Sequence, residues 1–426
     1  METGTGLGTG RRPSGPGPET PGFARRHPQL TPPAAAPAPA SRGICAASLP
    51  GQVVAATISA ETAPISPQEP DPMHDFRSDT VTQPTAAMRE AMLTAPLGDD
   101  VFGDDPSVND LQNHAAELLG FDAALFAPSG TQANLIALMG HCQRGDEAIV
   151  GQSWHTYRWE GGGMATLGSI HPQPIENRAD GTLCLRDIAA AIKPDDPHFA
   201  RTRLVVLENT AGGQVLPNPY IADVAALARS RQLAMHLDGA RLFNAATANA
   251  MAHGTDVYDE ARAICAHFDT ASICLSKGLG APVGSLLLGS HDFIAHARRT
   301  RKMLGGAMRQ IGMLAAAGRY ALDHHVRRMA DDHALLRSLA EGLAEVGRSH
   351  PVLRRRLSVA SAHTNIMFTD VHSDIAPALM AWLSQHGIYV TRSLCGGQIR
   401  LRWVTHLDVG AEDVEHTLGC VEEFRG

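Results

Sequence analysis

Short apolar runs that end abruptly on polar or ionisable residues constrain this chain most. Residues 204–207 run into Glu208-Asn209-Thr210, residues 233–237 into Asp238-Gly239-Ala240-Arg241, and residues 271–275 into Ser276 and Lys277. Runs this short and apolar read as buried strands, and their alternation with helical patterning predicts an α/β domain with a mainly parallel sheet. In such a sheet ligands bind beyond the carboxyl ends of the strands. Asp238, Arg241 and Lys277 are therefore expected in one crevice, joined by His155 from the loop 151–157 after a strand at 147–150. Each also has a plain structural use: His155 as a loop histidine, Asp238 as the cap of the next helix, Arg241 as its solvated partner.

Around these runs the patterning predicts a helix at 108–119 and a strand at 123–126. Pro128-Ser129-Gly130-Thr131 then opens a helix, and a small hydroxyl and glycine cluster at a helix N-terminus suits either an anion or a simple N-cap. Residues 293–347 are helical in pattern, broken at Gly305-Gly306. They carry the basic cluster Arg298, Arg299, Arg301, Lys302 and Arg309, which reads as a solvated face. A strand at 364–368, helix at 375–386, strands at 388–391 and 398–404 and helix at 412–424 predict a small C-terminal α+β domain. The boundaries expected are 73–325 for the large domain and 326–426 for the small one. Residues 1–72, rich in Gly, Pro, Ala, Ser and Thr, cannot bury enough apolar surface to offset their ordering entropy and are expected to be disordered, with Met73 as an alternative initiator.

The chain has 426 residues, 44% of them hydrophobic and 19% charged, as in an ordinary soluble globular protein. A net charge of −8 with no Lys/Arg block argues against nucleic-acid binding, and no apolar run reaches the length of a bilayer. Seven scattered cysteines without a Cys-x-x-Cys pair fit reduced thiols rather than a disulfide frame or a metal site. A cytoplasmic location is expected.

Lys277 sits at a strand end among Gly278, Gly280 and Pro282, where a desolvated lysine can lose its proton and form an imine with an aldehyde. Pyridoxal phosphate is the aldehyde that fits the surroundings. Its phosphate would meet the helix start at Gly130 and Thr131, Asp238 would keep the ring nitrogen protonated, and His155 would lie on the ring face. Arg241 and an arginine of the C-terminal domain would hold an amino-acid carboxylate. This set predicts amino-acid chemistry without choosing among transamination, decarboxylation, elimination and aldol cleavage.

An ordered series of motifs chooses further. FRSDTVT from Phe76, GDDVFGDDP from Gly98, SGTQAN from Ser129, HLDGARLFNA from His236, SKGLGAPVGS from Ser276, MRQ from Met308 and RWVTHLDV from Arg402 together resemble the low-specificity L-threonine aldolases. The resemblance runs from about Asp75 to near the C-terminus. It implies a fold-type-I, aspartate aminotransferase-like pyridoxal-phosphate enzyme that cleaves L-threonine and L-allo-threonine to glycine and acetaldehyde. It implies Lys277 as the Schiff-base lysine, Gly130 and Thr131 at the phosphate, Asp238 at the pyridine nitrogen and His155 stacked on the ring. Ser78, Arg241 and Arg402 would meet the substrate carboxylate, and His198, in Pro197-His198-Phe199, the substrate hydroxyl. It also implies a homotetramer built from dimers with shared sites, in which Lys302 and Arg309 reach the neighbour's phosphate region. Residues 208–213 depart from the family, which commonly has His and Asn after the Thr. The alternatives are a β-eliminating lyase or aminotransferase of the same fold, and a non-catalytic cofactor-binding protein; the latter would be marked by a missing Lys277 or Asp238, and both are present.

Overall fold

The computed structural model describes residues 73–395 and 398–426. The extension expected to be disordered, 1–72, lies outside the described residues.

Seven strands form the main sheet, in the spatial order Ala123–Ala127, Ser285–Gly289, Thr270–Cys274, Ala234–Gly239, Thr202–Glu208, Glu147–Gly151 and His171–Ile175. The strands from Thr270–Cys274 through His171–Ile175 pair in parallel. Ser285–Gly289 is antiparallel to both of its neighbours. The reason is length: a parallel crossover needs about a dozen residues or more, and the link that carries Lys277 is only residues 275–284. Strands Glu147–Gly151, Thr270–Cys274 and Ser285–Gly289 are buried at every residue, as expected of a sheet covered on both faces.

The covering helices start where the sequence supplies caps. Pro106–Leu119 follows Asp105, whose side chain accepts the N–H groups of Ser107 and Val108 at 3.1 Å, with Pro106 in the first turn, where it loses no helical hydrogen bond. Gly130–His141 follows Ser129, whose Oγ accepts the Gln132 N–H at 3.2 Å.

A second, antiparallel sheet has the order Thr391–Cys395, Gln398–Val404, Ile366–Val371, Leu357–Val359. It shares a hydrophobic cluster with helices Met329–Ser349, Ala376–Gln385 and Ala411–Glu423, through residues such as Leu339, Leu379, Trp403 and Val421. Phe76, from the beginning of the described chain, is buried in this cluster rather than against the main sheet.

Two sequence expectations shift here. The single strand expected at 388–391 is two: Ile388–Tyr389 pairs in parallel with His74–Asp75, and Thr391–Cys395 pairs with Gln398–Val404. The strand expected at 364–368 begins at Ile366. Thr364 and Asn365 are occupied otherwise: Thr364 donates to the Gly213 carbonyl and Asn365 to Asp79 and the Thr405 carbonyl. Among the described residues no helix is long and apolar enough to cross a membrane.

Candidate active site

Lys277 is delivered by a loop that closes on itself after Thr270–Cys274. The Leu275 N–H donates to the Gly284 carbonyl, the Ala281 N–H to the Leu275 carbonyl and the Gly280 N–H to the Lys277 carbonyl, at 3.0, 3.0 and 2.8 Å. The Thr82 hydroxyl adds a 3.0 Å bond to that same Lys277 carbonyl, tying the loop to the N-terminal segment. Lys277 and Arg241 line one small cavity with Gly239, Asn244 and Cys274, and Lys277 is near enough to Asp79, His155 and Glu208 to act on them electrostatically.

On one side lies a buried ion pair. Arg241 donates from Nη2 to Asp79 Oδ1 at 2.6 Å and from Nε to Asp79 Oδ2 at 2.8 Å. Burial alone would raise the Asp79 carboxyl. Arg241, with Lys277 and Asn365 adding to it, overcomes that and holds Asp79 well below the usual carboxylate range. Arg402 is close enough for the two guanidinium groups to repel: burial first, then Arg241, lowers Arg402 from its ordinary value. Its Nη2 donates to the Arg77 carbonyl at 3.0 Å, and its Nε is buried with no partner among the described residues. Two guanidinium groups with one shielded carboxylate between them suit an anionic group of a ligand.

On the other side stand three carboxylates. Asp238, at the end of Ala234–Gly239, is 1% exposed. Its Oδ2 accepts from Asn134 Nδ2 at 2.9 Å and its Oδ1 accepts the Ala240 N–H at 3.1 Å. It does not cap the following helix, Leu242–His253, where Arg241 holds the cap position. Glu208 pairs in register with Asp238 on the adjacent strand, and burial, with Asp238 beside it, pushes its carboxyl up. Glu160 accepts from Asn134 Nδ2 at 2.9 Å, and burial likewise raises it, with Asp238 adding to the effect.

His155 opens the short helix His155–Arg158 instead of lying in a loop, because Glu208 Oε2 accepts its backbone N–H at 2.5 Å and pins the turn. Its Nδ1 lies 2.8 Å from Glu160 Oε1. That bond is the main cause of a raised imidazole, with Asp238 assisting and burial opposing. His155, Glu160 and Asp238 each offer a nitrogen or oxygen atom within 4.8 Å of the others.

The remaining residues singled out from the sequence lie around this centre or away from it. Ser78 precedes Asp79, and its Oγ accepts from the Thr80 N–H and hydroxyl. Gly130 starts the helix that carries Asn134, and a Cβ there would stand 3.4 Å from Ser285 Oγ, a buried hydroxyl with no partner among the described residues. Thr131 is exposed beside it. His198 has a side chain 86% exposed, and its recorded partner is Asp196, at 2.6 Å. The basic cluster divides. Arg301 is buried, donating to Asp100 and to the Phe126 carbonyl, each at 2.6 Å; Arg309 bonds Asp99 at 3.0 Å; Lys302 is exposed. Reading the cluster wholly as a solvated face therefore fails at Arg301.

Asp79, Asn134, Glu160 and Glu208 were not picked out from the sequence. Asp79 and Asn134 lie inside motifs quoted above, beside Ser78 and Thr131, and could have been found there. Glu208 was visible only as a strand-end residue. Glu160 had no signal beyond lying five residues after His155.

Comparison with known proteins adds to this geometry. Residues 75–373 match the Beta-eliminating lyase family. The chain is 51% identical over 342 residues to the low specificity L-threonine aldolase of Escherichia coli (strain K12), covering 80% of this chain and 96% of the relative. It is 42% identical over 360 residues to low-specificity L-threonine aldolase 1 of Arabidopsis thaliana, covering 82% and 95%. Among solved structures, Leishmania major threonine aldolase superposes with a TM-score of 0.69 at 21% identity, covering 82% of this chain and 98% of that one. Sphingomonas wittichii serine palmitoyltransferase does so at 0.62 and 21%, covering 82% and 84%. These two likenesses concern the fold.

Proposed function

The chain belongs to the low-specificity L-threonine aldolase family, and we propose that it cleaves L-threonine, L-allo-threonine and related β-hydroxy-α-amino acids to glycine and an aldehyde. It is a carbon–carbon lyase of the pyridoxal-phosphate-dependent kind. What supports this reading is the nearness of Lys277, Asp238 and His155, at the ends of the main-sheet strands, to the pair Arg241 and Arg402, the latter inside Gln398–Val404 of the second sheet.

The donor set fits pyridoxal phosphate. Asp238 is a buried carboxylate suited to a protonated ring nitrogen, and Lys277 is an amine on a rigid loop suited to an aldehyde. The helix start at Gly130 and Thr131, with the Ser285 hydroxyl beside it that has no partner among the described residues, suits a phosphate. The bound cofactor supplies a protonated ring that draws off the electron pair left on the substrate Cα. Arg241 and Arg402 hold the α-carboxylate, with Ser78 at its side, and so set which Cα bond can break. His155 takes the proton of the β-hydroxyl, the Cα–Cβ electron pair passes to Cα, the aldehyde departs, and Cα regains a proton.

His198 is proposed near the substrate hydroxyl, from a loop separate from His155, and Lys302 and Arg309 take their roles in an assembly. A homotetramer built from dimers would bring Lys302 and Arg309 of one protomer to the phosphate region of another. Exposed Leu93, Leu97, Phe102 and Met303 offer apolar surface for such contacts.

The test is incubation of the purified holoenzyme with L-threonine, L-allo-threonine and D-threonine. Acetaldehyde and glycine in equal amounts from the L-isomers are expected. Formation of 2-oxobutanoate and ammonia instead would assign the chain to elimination.

A further inference from the structure

We propose that Glu160 and Asn134 are positioning residues that hold His155 in the tautomer protonated on Nδ1, so that Nε2 is the acceptor presented to the substrate hydroxyl. The proposal rests on the aldolase reading.

It starts from the amide of Asn134, which is 2% exposed and makes four hydrogen bonds. Its Nδ2 lies 2.9 Å from both Glu160 Oε1 and Asp238 Oδ2, so each of its hydrogens serves one carboxylate. Its Oδ1 accepts from Ser272 Oγ at 2.6 Å and lies 3.1 Å from His236 Nε2. A flipped amide would point its oxygen at two carboxylates from a side chain that is almost wholly buried. The orientation is therefore decided.

The layer behind Asn134 enforces it. Because Asn134 Oδ1 is an acceptor, His236 Nε2 carries the hydrogen, and His236 Nδ1 must accept from the Thr270 hydroxyl 2.9 Å away. The Thr270 oxygen in turn accepts from His141 Nε2 at 2.8 Å. A neutral His236 is what this chain of bonds needs, and burial pushes that imidazole down to about 3. Ser272, Thr270 and His236 belong to adjacent paired strands, so the donors behind Asn134 are part of the sheet itself.

Forward of Asn134 the logic reaches His155. Burial raises the Glu160 carboxyl, but the bonds it accepts from Asn134 and His155 work against that, and the same bond to Glu160 raises His155, so the proton shared across the 2.8 Å contact is placed on Nδ1. Nε2 has no recorded partner among the described residues. The titratable groups facing the imidazole are Glu160 and Asp238, which favour its protonation, Lys277, which opposes it, and Glu208, which accepts the His155 backbone N–H. Asn134 thus links the carboxylate beneath His155 to the carboxylate proposed for the ring nitrogen.

The experiment compares holoenzymes of wild type, Glu160→Gln, Glu160→Ala and Asn134→Leu. For each, kcat/KM for L-threonine is measured against pH, together with Cα proton exchange of glycine, the affinity for pyridoxal phosphate by absorbance titration, and Tm. Removing the Glu160 charge lowers the His155 pKa, so in Glu160→Gln the acidic limb of the profile moves to lower pH. Glu160→Ala, which loses the orienting oxygen, is expected to lose on the order of 10²-fold in threonine cleavage. Its glycine exchange, which leaves the hydroxyl out, should fall much less. Asn134→Leu is expected to show both effects and to bind pyridoxal phosphate more weakly, since it serves both carboxylates. An acidic limb unmoved in Glu160→Gln, or equal losses in cleavage and glycine exchange, overturns the proposal. If Glu160→Gln does not fold, the acidic limb is read in Glu160→Ala, which also removes the charge. Failure of the wild type to release acetaldehyde would overturn the aldolase reading instead, before any variant is compared.

Discussion

Arg241 and Asp79 meet through two hydrogen bonds of 2.6 and 2.8 Å although 162 residues separate them. Asp79 follows Ser78 directly and is fully buried, so the pair joins the N-terminal segment to the end of the Asp238 strand. Removing one partner of a buried pair strands the other charge and typically costs about 3 to 5 kcal/mol. Asp79→Asn should therefore lower stability to urea by roughly that much and raise KM for L-threonine as Arg241 loses its anchor. Unchanged urea midpoint and unchanged KM would count against the role assigned to the pair.

Lys277 carries the second prediction. Lys277→Ala should end multiple turnover and remove the visible absorbance of the lysine-bound cofactor, while the fold, which depends on the loop's backbone bonds, persists. Asp238→Ala should instead retain Lys277 chemistry but bind pyridoxal phosphate weakly. Undiminished steady-state cleavage by Lys277→Ala would remove the central assignment.

Acid sensitivity should be traceable to His236. Its ordinary value of 6.5 falls to about 3 in the folded protein because burial disfavours the charged form. Below 6.5 the unfolded chain therefore takes up a proton that the folded protein refuses until about pH 3, and stability is lost as pH falls through that window. His236→Gln cannot titrate, so its Tm should depend less steeply on pH across the same window. Parallel Tm curves for variant and wild type would show that His236 does not contribute.

The two histidines proposed near the hydroxyl should differ in kind. His155→Asn removes the proton acceptor and should lower cleavage of both epimers by about 10²-fold or more. His198→Asn should lower cleavage of L-threonine and L-allo-threonine by unequal factors, since it approaches from a separate loop. Equal losses for both epimers and for glycine proton exchange would reduce the histidines to cofactor contacts.

The sequence by itself determines the strand framework and the edge at which it gathers polar residues. Apolar runs, their lengths and the polar residues that end them are local properties, and for a parallel sheet the strand ends share one edge. The α/β class, the crevice and the convergence of Asp238, Arg241, Lys277 and His155 on it follow from that. The reversal at Ser285 follows as well from the length of residues 275–284, once length is weighed against what a crossover requires.

Only the tertiary structure decided which polar groups pair. That Asp79 neutralises Arg241, that Arg301 is buried on Asp100 while Lys302 stays exposed, and that Asn134 faces two carboxylates depend on how distant segments pack. A helical pattern shows that residue 134 lies on a buried face. It holds no information about what stands opposite. The turn of helix at His155 is of the same kind, because its N–H is satisfied by Glu208, 53 residues away, and not by a neighbour in sequence. Local free energies shape the elements; the pairing of buried charges is set by desolvation, which exists only once the segments have closed over them.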